Sequence, residues 1–406
     1  MPRAGACLCL SERDAMKGNV LAGRLRLAGG LALVLMTACA APTTPTGTAS
    51  RGEAAPTARA APARAPAAGA TAAGASAAGT AGSAAPAPAG EAAAAPPALA
   101  VRVMHNAVAG SQALLQVIQD AGLFTQHGLA VEIGNATPRA TTAALLAGDV
   151  PLMVSSGIHA VSAGLAGGDT VIVSGGISTL DSSLWTREPL APAGLRGRRI
   201  GVSTFGDAAD FAARFAAKRW GLDPTRDLEI LQTGQPSERL AALQAGAVDA
   251  TIIQPPLTTV ARKAGLYQLA EMADLGLEYQ HTGVVTTRAR LATDADVLER
   301  FVGAWAEGVY YYRARPDVAR AAVGRFMSLE DPDALAETYE RYIKWYARPP
   351  YPTLSGIQSI LDQLAEGEDP RARDARPEQF VDTRFLDKLS AAGQFQRWDQ
   401  QYPAAP

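Results

Sequence analysis

The sequence predicts an α/β protein of two lobes, each a mixed, mainly parallel sheet flanked by helices, with extra helices at the C-terminus. Two observations predict the lobes. Between Arg199 and Gln254, short apolar runs (Ile200 and Val202, Leu228 to Leu231, Ala250 to Ile253) alternate with stretches of helical spacing. The same alternation occurs earlier, from Val101 to Gly176. Strands alternating with helices of this length imply right-handed βαβ crossovers and a sheet covered on both faces. A third observation places the later helices: beyond Leu291 the apolar residues repeat at helical spacing almost to the C-terminus.

Taken in order, the chain opens on a targeting signal, residues 1–39. Lys17, Arg24 and Arg26 supply positive charge after Met16, and an apolar run follows from Leu27 to Met36, too short to span a bilayer. The run ends in Met36-Thr37-Ala38-Cys39, small residues before a cysteine, which resembles a bacterial lipobox. Cys39 is therefore the expected lipidation site and the protein's hold on the membrane. Residues 40–97 are rich in Ala, Pro, Gly, Thr and Ser, with alanine the only aliphatic residue. Such a segment buries too little surface to offset chain entropy and is expected to be a disordered tether. About 60 residues of flexible coil reach on the order of 40 Å.

The body is expected to begin at residue 98. Val101 to Ala107 alternates as a strand, Leu114 to Ala121 has helical spacing, and Ala130 to Ile133 is a second strand. A helix around Thr141 to Ala147, a strand at Pro151 to Ser156, a helix near Ile158 to Leu165 and a strand at Thr170 to Gly176 complete one lobe. Residues 181–281 form the second lobe, in which Phe211, Phe215 and Trp220 mark one face of a helix closed by Gly221. Gly283 to Leu291 reads as a strand returning to the first lobe, so the first lobe comprises residues 98–180 and 282–406. Helices are expected near Ala295 to Ala314, Pro316 to Phe326, Asp333 to Tyr346 and Leu354 to Leu364. An inserted lobe leaves two thin chain crossings, a natural hinge.

Composition narrows the function. Net charge is −2 and no basic run interleaves with aromatics, so nucleic acid is not an expected partner. The three cysteines all precede residue 40, which leaves the body without a thiol, a disulfide or a cysteine metal ligand. Four histidines exist, His105, His127, His159 and His281; three lie in or beside predicted loops, but no clustered carboxylate–histidine spacing accompanies them. No metal and no cofactor are expected.

The blocks GLFTQHGLAVEI, TTAALLAGDVPLMVSSG, LRGRRIGVSTFGDAADF, ERLAALQAGAVDATIIQPP and YPTLSGIQSILDQLAE resemble the solute-binding proteins of ABC importers, closest to the nitrate, sulfonate and taurine branch that also includes pyrimidine-precursor binders. The resemblance runs from Val101 to Leu389. It implies the type II periplasmic-binding-protein fold and partnership with ABC permease transmembrane subunits. It also implies a monomer held in the periplasm or at the cell surface as a membrane-anchored lipoprotein.

In open α/β sheets ligands bind beyond the carboxyl ends of the strands. Four loops meet that description: His105 to Gln112, Ser155 to His159, Ser203 to Asp210, and Gln254 to Leu257. From them the candidate ligand contacts are Asn106, Ser111 and Gln112; Ser155, Ser156, Gly157 and His159; Ser203, Thr204, Phe205, Gly206 and Asp207; and Gln254 with Pro255. Ser155-Ser156-Gly157 offers hydroxyls and free amides to an anion, although a serine here also caps a helix. Asp207 and Asp210 are spaced as helix caps, and an aspartate at the gap favours a neutral or amine-bearing ligand over a sulfonate or nitrate. None of the four loops contains Lys or Arg; Arg139 and Arg187 are at best nearby in sequence. Phe205, Trp185 and Tyr279 are candidates for stacking on a planar ligand, although packing in the core or between lobes is the stronger expectation for each.

Three functions are compatible with these features. The first is a binding protein that closes on a small polar organic solute (sulfonate, nitrate, taurine or pyrimidine precursor) and delivers it to a permease. The second is a ligand-sensing module that docks on a membrane receptor. The third is an enzyme on the same fold, for which no Ser-His-Asp or paired-carboxylate constellation can be assembled from spacing; the expected protein is not an enzyme and has no catalytic residues.

Overall fold

The computed structural model describes residues 98–367 and 369–403. The signal, Cys39 and the tether lie outside the described residues. The first strand, β1 (Leu99–His105), buries Val101 and Val103 between exposed Ala100 and Arg102, the alternation of a half-covered strand. It pairs in parallel with β2 (Leu129–Asn135) and β3 (Leu152–Ser156). The connections are α1 (Leu114–Asp120), α2 (Leu123–Gln126) and α3 (Pro138–Ala147). The start of α3 is set by Thr137, whose side chain accepts from the Ala140 N–H, and by Pro138 in the first turn; Gly148, at φ 82°, ends it. After α4 (Gly157–Leu165), β4 (Thr170–Ile177) lies at the edge of a sheet ordered β2-β1-β3-β10-β4.

The second sheet contains β5 (Ser183–Thr186), β6 (Arg198–Val202), β7 (Leu228–Gln232), β8 (Ala250–Ile253) and β9 (Tyr267–Glu271), in the order β7-β6-β8-β5-β9. Its helices are α5 (Ala208–Arg219), α6 (Pro236–Gln244) and α7 (Leu257–Lys263). In each sheet three strands pair in parallel and the fourth runs against its neighbours: β10 (Thr282–Thr287) in the first, β5 in the second. Both are the first strand after a crossing. A chain leaving β4 at its carboxyl end enters the other sheet at that sheet's carboxyl edge, and so must run opposite to the βαβ strands already there.

Three expectations change. Ser183–Thr186, to which the sequence assigned no element, is a strand, and β9 was not anticipated; β5 is buried at every position and so short that it shows no alternation. The buried face of α5 is made by Ala209, Ala212, Ala213, Ala216 and Ala217, not by Phe211, Phe215 and Trp220, which are half-buried. Small side chains let this helix approach β6 and β8, and the aromatics are left on its flank. The strand expected over Gly283 to Leu291 stops at Thr287, whose hydroxyl accepts from the Arg290 N–H at 3.2 Å and caps α8 (Arg288–Thr293).

The two crossings pair with each other. The Tyr279 N–H donates to the Ser178 carbonyl (2.9 Å) and the His281 N–H to the Ile177 carbonyl (3.0 Å). The Gly157 N–H, at the start of α4, donates to the carbonyls of Gln280 and His281 at 3.0 Å each.

Beyond α8 the chain is helical: α9 (Ala295–Ala314), α10 (Pro316–Met327), α11 (Pro332–Trp345), α12 (Leu354–Glu366), α13 (Arg371–Asp374), α14 (Arg384–Ala391) and α15 (Gln394–Gln401). The middle of α9 is buried almost all round, and its Trp305 indole N–H donates to the Gly175 carbonyl at 2.8 Å. One apolar core joins the first sheet to these helices. A second runs through the crossings, linking Met153 and Ile172 of the first sheet to Ile200 and Ile252 of the second, with Ile357 and Ile360 of α12 packed against both. No helix among the described residues is long and apolar enough to cross a membrane.

Candidate functional site

The β1 loop and the β3–α4 turn lie side by side because their strands are neighbours. Asn106 ties them together. Its amide nitrogen donates to Ser155 Oγ at 2.8 Å and contacts His159 Nδ1 at 3.0 Å, and its Oδ1 accepts from Gln112 Nε2 at 2.6 Å. Gln112 Oε1 in turn accepts from the N–H groups of Asn106 and Ala107, both at 3.1 Å. An amide nitrogen can only donate, so His159 Nδ1 is the acceptor and the ring proton sits on Nε2. Burial holds the ring neutral, pushing its pKa down to about 4; neighbouring His281 adds to the effect, and the carboxylate of Asp207 opposes it. His159 is therefore a neutral imidazole with an Nε2–H to offer.

Asp207 acts on His159 from the other sheet, so the β6–α5 loop stands across from the β3–α4 turn. Its carboxylate is already engaged. Oδ1 accepts from the N–H groups of Ala209 (2.9 Å) and Asp210 (3.0 Å), and Oδ2 from the Thr204 N–H (3.3 Å) and the Ser203 hydroxyl. Gly206 N–H donates to Asp210 Oδ2 (2.9 Å) and Phe205 N–H to Gln232 Oε1 (3.3 Å). The start of α5 thus carries its own anions, and the amides expected there for a ligand are occupied. The same is true of the Gly157 amide in the β3–α4 turn.

The remaining candidates fall as follows. Ser111 is buried and its carbonyl accepts from the Tyr346 hydroxyl. Ser155 is fully buried, its hydroxyl donating to the Ser156 carbonyl at 3.3 Å, whereas Ser156 Oγ is buried with no partner among the described residues. Thr204, Phe205 and Gly206 are exposed, Gln254 is half-buried and Pro255 is buried. Trp185 and Tyr279, candidates for stacking on a ligand, are core residues 1% and 0% exposed. Tyr279 lies under Phe211, ring centroids 5.2 Å apart, and only Phe205 of the three is open to solvent. Beside Phe205, a cavity of about 860 Å³ opens between α5 and α12, floored by Phe211, Phe215 and Leu277. His105 and His127 do not join His159: His105 Nδ1 contacts the Ala107 carbonyl, and His127 Nε2 sits 2.7 Å from Glu307. His281 faces Asp181 at 3.4 Å, and Asp181 also accepts from the Tyr342 hydroxyl at 2.7 Å. No group of three metal-ligating side chains occurs among the described residues.

Spacing missed one residue. Arg239, in the first turns of α6, is 3% exposed and reaches back over the carboxyl edge of the second sheet. Its Nε donates to the Ile252 carbonyl of β8 at 3.0 Å and its Nη1 to the Gly234 carbonyl just after β7 at 2.9 Å. Burial lowers its pKa to about 10, the nearby charge of Asp207 opposing. The available signal was a cation at the amino end of a helix, where the dipole disfavours it.

A family model described as NMT1/THI5 like matches residues 112–319, more than half of the 406. The chain belongs to this family. The match to the NMT1/THI5-like model spans β3, α4 and all of the second sheet, and so takes in the Asn106 partners Gln112, Ser155 and His159 as well as Asp207 and Arg239. No curated protein matches. Among solved structures, the periplasmic aliphatic sulphonate binding protein SsuA from Escherichia coli is 17% identical, with 70% of this chain and 92% of that one covered and a TM-score of 0.57. The alkanesulfonate-binding protein SsuA from Xanthomonas axonopodis pv. citri, bound to MOPS, is 19% identical over 71% of this chain and 100% of that one, TM-score 0.54. A mutant of DszB in complex with biphenyl-2-sulfinic acid is 16% identical over 72% and 99%, TM-score 0.52. These likenesses establish the fold: two mixed sheets flanked by helices, as in periplasmic binding proteins.

Proposed function

We propose that this NMT1/THI5-like protein is an extracytoplasmic solute-binding protein of an ABC importer. In this reading it closes two lobes on a small polar organic solute and delivers the solute to the permease. The lobes are residues 98–180 with 282–406 and residues 181–281. A lipid on Cys39 and the tether of residues 40–97 hold the monomer at the membrane outside the cytoplasm. The observation that carries the reading is the opposition of two carboxyl-edge loops across paired crossings: Asp207 of the second sheet is near enough to act on His159 of the first. Solute touching both edges is fully held only when they approach, so binding shifts the hinge equilibrium toward closure. The sulfonate and sulfinate ligands of the structural relatives favour the sulfonate, nitrate, taurine or pyrimidine-precursor class.

Native mass spectrometry of the purified full chain, thermal shift against a solute panel and small-angle scattering test this together. The expected result is a bound or added solute that raises the melting temperature and reduces the radius of gyration. If no solute in the panel does either and none co-purifies, the reading is wrong.

A further inference from the structure

We infer that Arg239 selects the solute, its guanidinium holding an oxyanion head, sulfonate or carboxylate, against the second sheet. This rests on the binding-protein reading above and adds a residue that loop position alone does not reveal. Buried charges in proteins are normally paired. Other arginines around the second sheet, all more exposed, have carboxylate partners: Arg199 with Asp249 (3.1 Å), Arg214 with Asp210 (2.8 Å) and Arg262 with Glu337 (3.0 Å). Arg239 is more deeply buried than any of them, and it has no carboxylate within 4 Å among the described residues. Two of its nitrogens are fixed by backbone carbonyls on either side of β6, which locks the plane of the fork. Nη2 has no acceptor among the described residues.

Asp207 does not fill that role. Its two oxygens are turned into α5 by four donors, so it offsets the charge of Arg239 through space without contacting it. Asp207 also acts on the neutral His159, which offers a second N–H from the first sheet. An oxyanion between them meets a charged donor from one lobe and a neutral donor from the other, which couples recognition to closure. The bland role for Arg239, a staple joining two carbonyls, would leave Nη2 without purpose and place a cation at the amino end of α6 for no gain.

The experiment is calorimetric titration of the full chain with ethanesulfonate, propionate, propionamide and ethylammonium. Wild type is expected to bind at least one of the two anions tenfold or more tighter than propionamide, and the sulfonate and carboxylate arms separate the two heads. Arg239→Gln should lose at least tenfold for that anion with propionamide unchanged, and Arg239→Lys should fall between. Asp207→Asn, whose side chain still caps α5, should bind the anion several-fold tighter because a repelling charge is gone; it decides the matter if Arg239→Gln does not fold. Undiminished anion binding by folded Arg239→Gln, or unchanged or weaker binding by Asp207→Asn, overturns the inference. Wild type that binds ethylammonium or propionamide but neither anion also overturns it, while leaving the binding-protein reading standing. Wild type that binds none of the four and carries no co-purified solute brings down both.

Discussion

At the scale of single residues, burial sets the charge state of side chains at the carboxyl edges of the sheets. His159 ionises near 6.5 in an unfolded chain and only near 4 in the fold. Between these values the unfolded chain binds a proton that the folded one does not. Stability from this group is therefore complete above about pH 6.5 and falls as pH drops toward 4, by up to about 3 kcal/mol. Urea midpoints measured at several pH values for wild type and His159→Gln should converge as pH falls. An equal loss in both would refute the assignment. Asn106 was legible as a loop polar group, but its bonds to Ser155, His159 and Gln112 were not, because they join positions brought together only by the order of strands. Asp207 was readable as both cap and ligand contact; four donors on its carboxylate show the cap.

At the scale of elements, the amino end of α4 is pinned to the second crossing. A Cβ on Gly157 would collide with the Gln280 carbonyl, a backbone atom that cannot step aside without moving the crossing. Gly157→Ala is expected to destabilise by roughly 1–3 kcal/mol, within the usual range for overpacking, and a chemical denaturation curve would show it. The C-terminal helices, expected to belong with the first sheet, also grip the second. Glu337 of α11 accepts from Thr258 at 2.8 Å, from Thr259, and from both Arg262 nitrogens at 3.0 Å, all on α7. Arg341 one turn on pairs with Glu271 at the end of β9. From α12, Gln363 donates to the Gly206 carbonyl at 3.0 Å and Glu366 meets Lys218 of α5 at 2.6 Å. Removing the Glu337 charge leaves partly buried donors unmatched, so Glu337→Gln should cost roughly 2 kcal/mol. It should also raise the radius of gyration of the solute-free protein in scattering. An unchanged radius would mean that α11 does not restrain the lobes.

At the scale of the whole molecule, a solute that binds only the folded, closed form adds RT ln(1 + [L]/Kd) to stability, about 2.7 kcal/mol at a hundredfold excess over Kd. The melting temperature should therefore climb with the logarithm of solute concentration, without levelling at one equivalent; a plateau there would contradict simple linkage. The sequence alone determined the βαβ units, the long buried helix α9 and the turn positions, because hydrophobic period, proline and glycine act within a few residues of chain. It also determined which loops end at a carboxyl edge, since that follows from strand direction. Only the tertiary structure decided that β5 and β10 enter their sheets reversed, that the alanines of α5 face inward, that α11 and α12 span both sheets, and that Arg239 stands over the edge where no loop carried a cation. Each of these depends on which distant segments touch, and a side chain as long as arginine can serve a site from a helix whose backbone lies outside it.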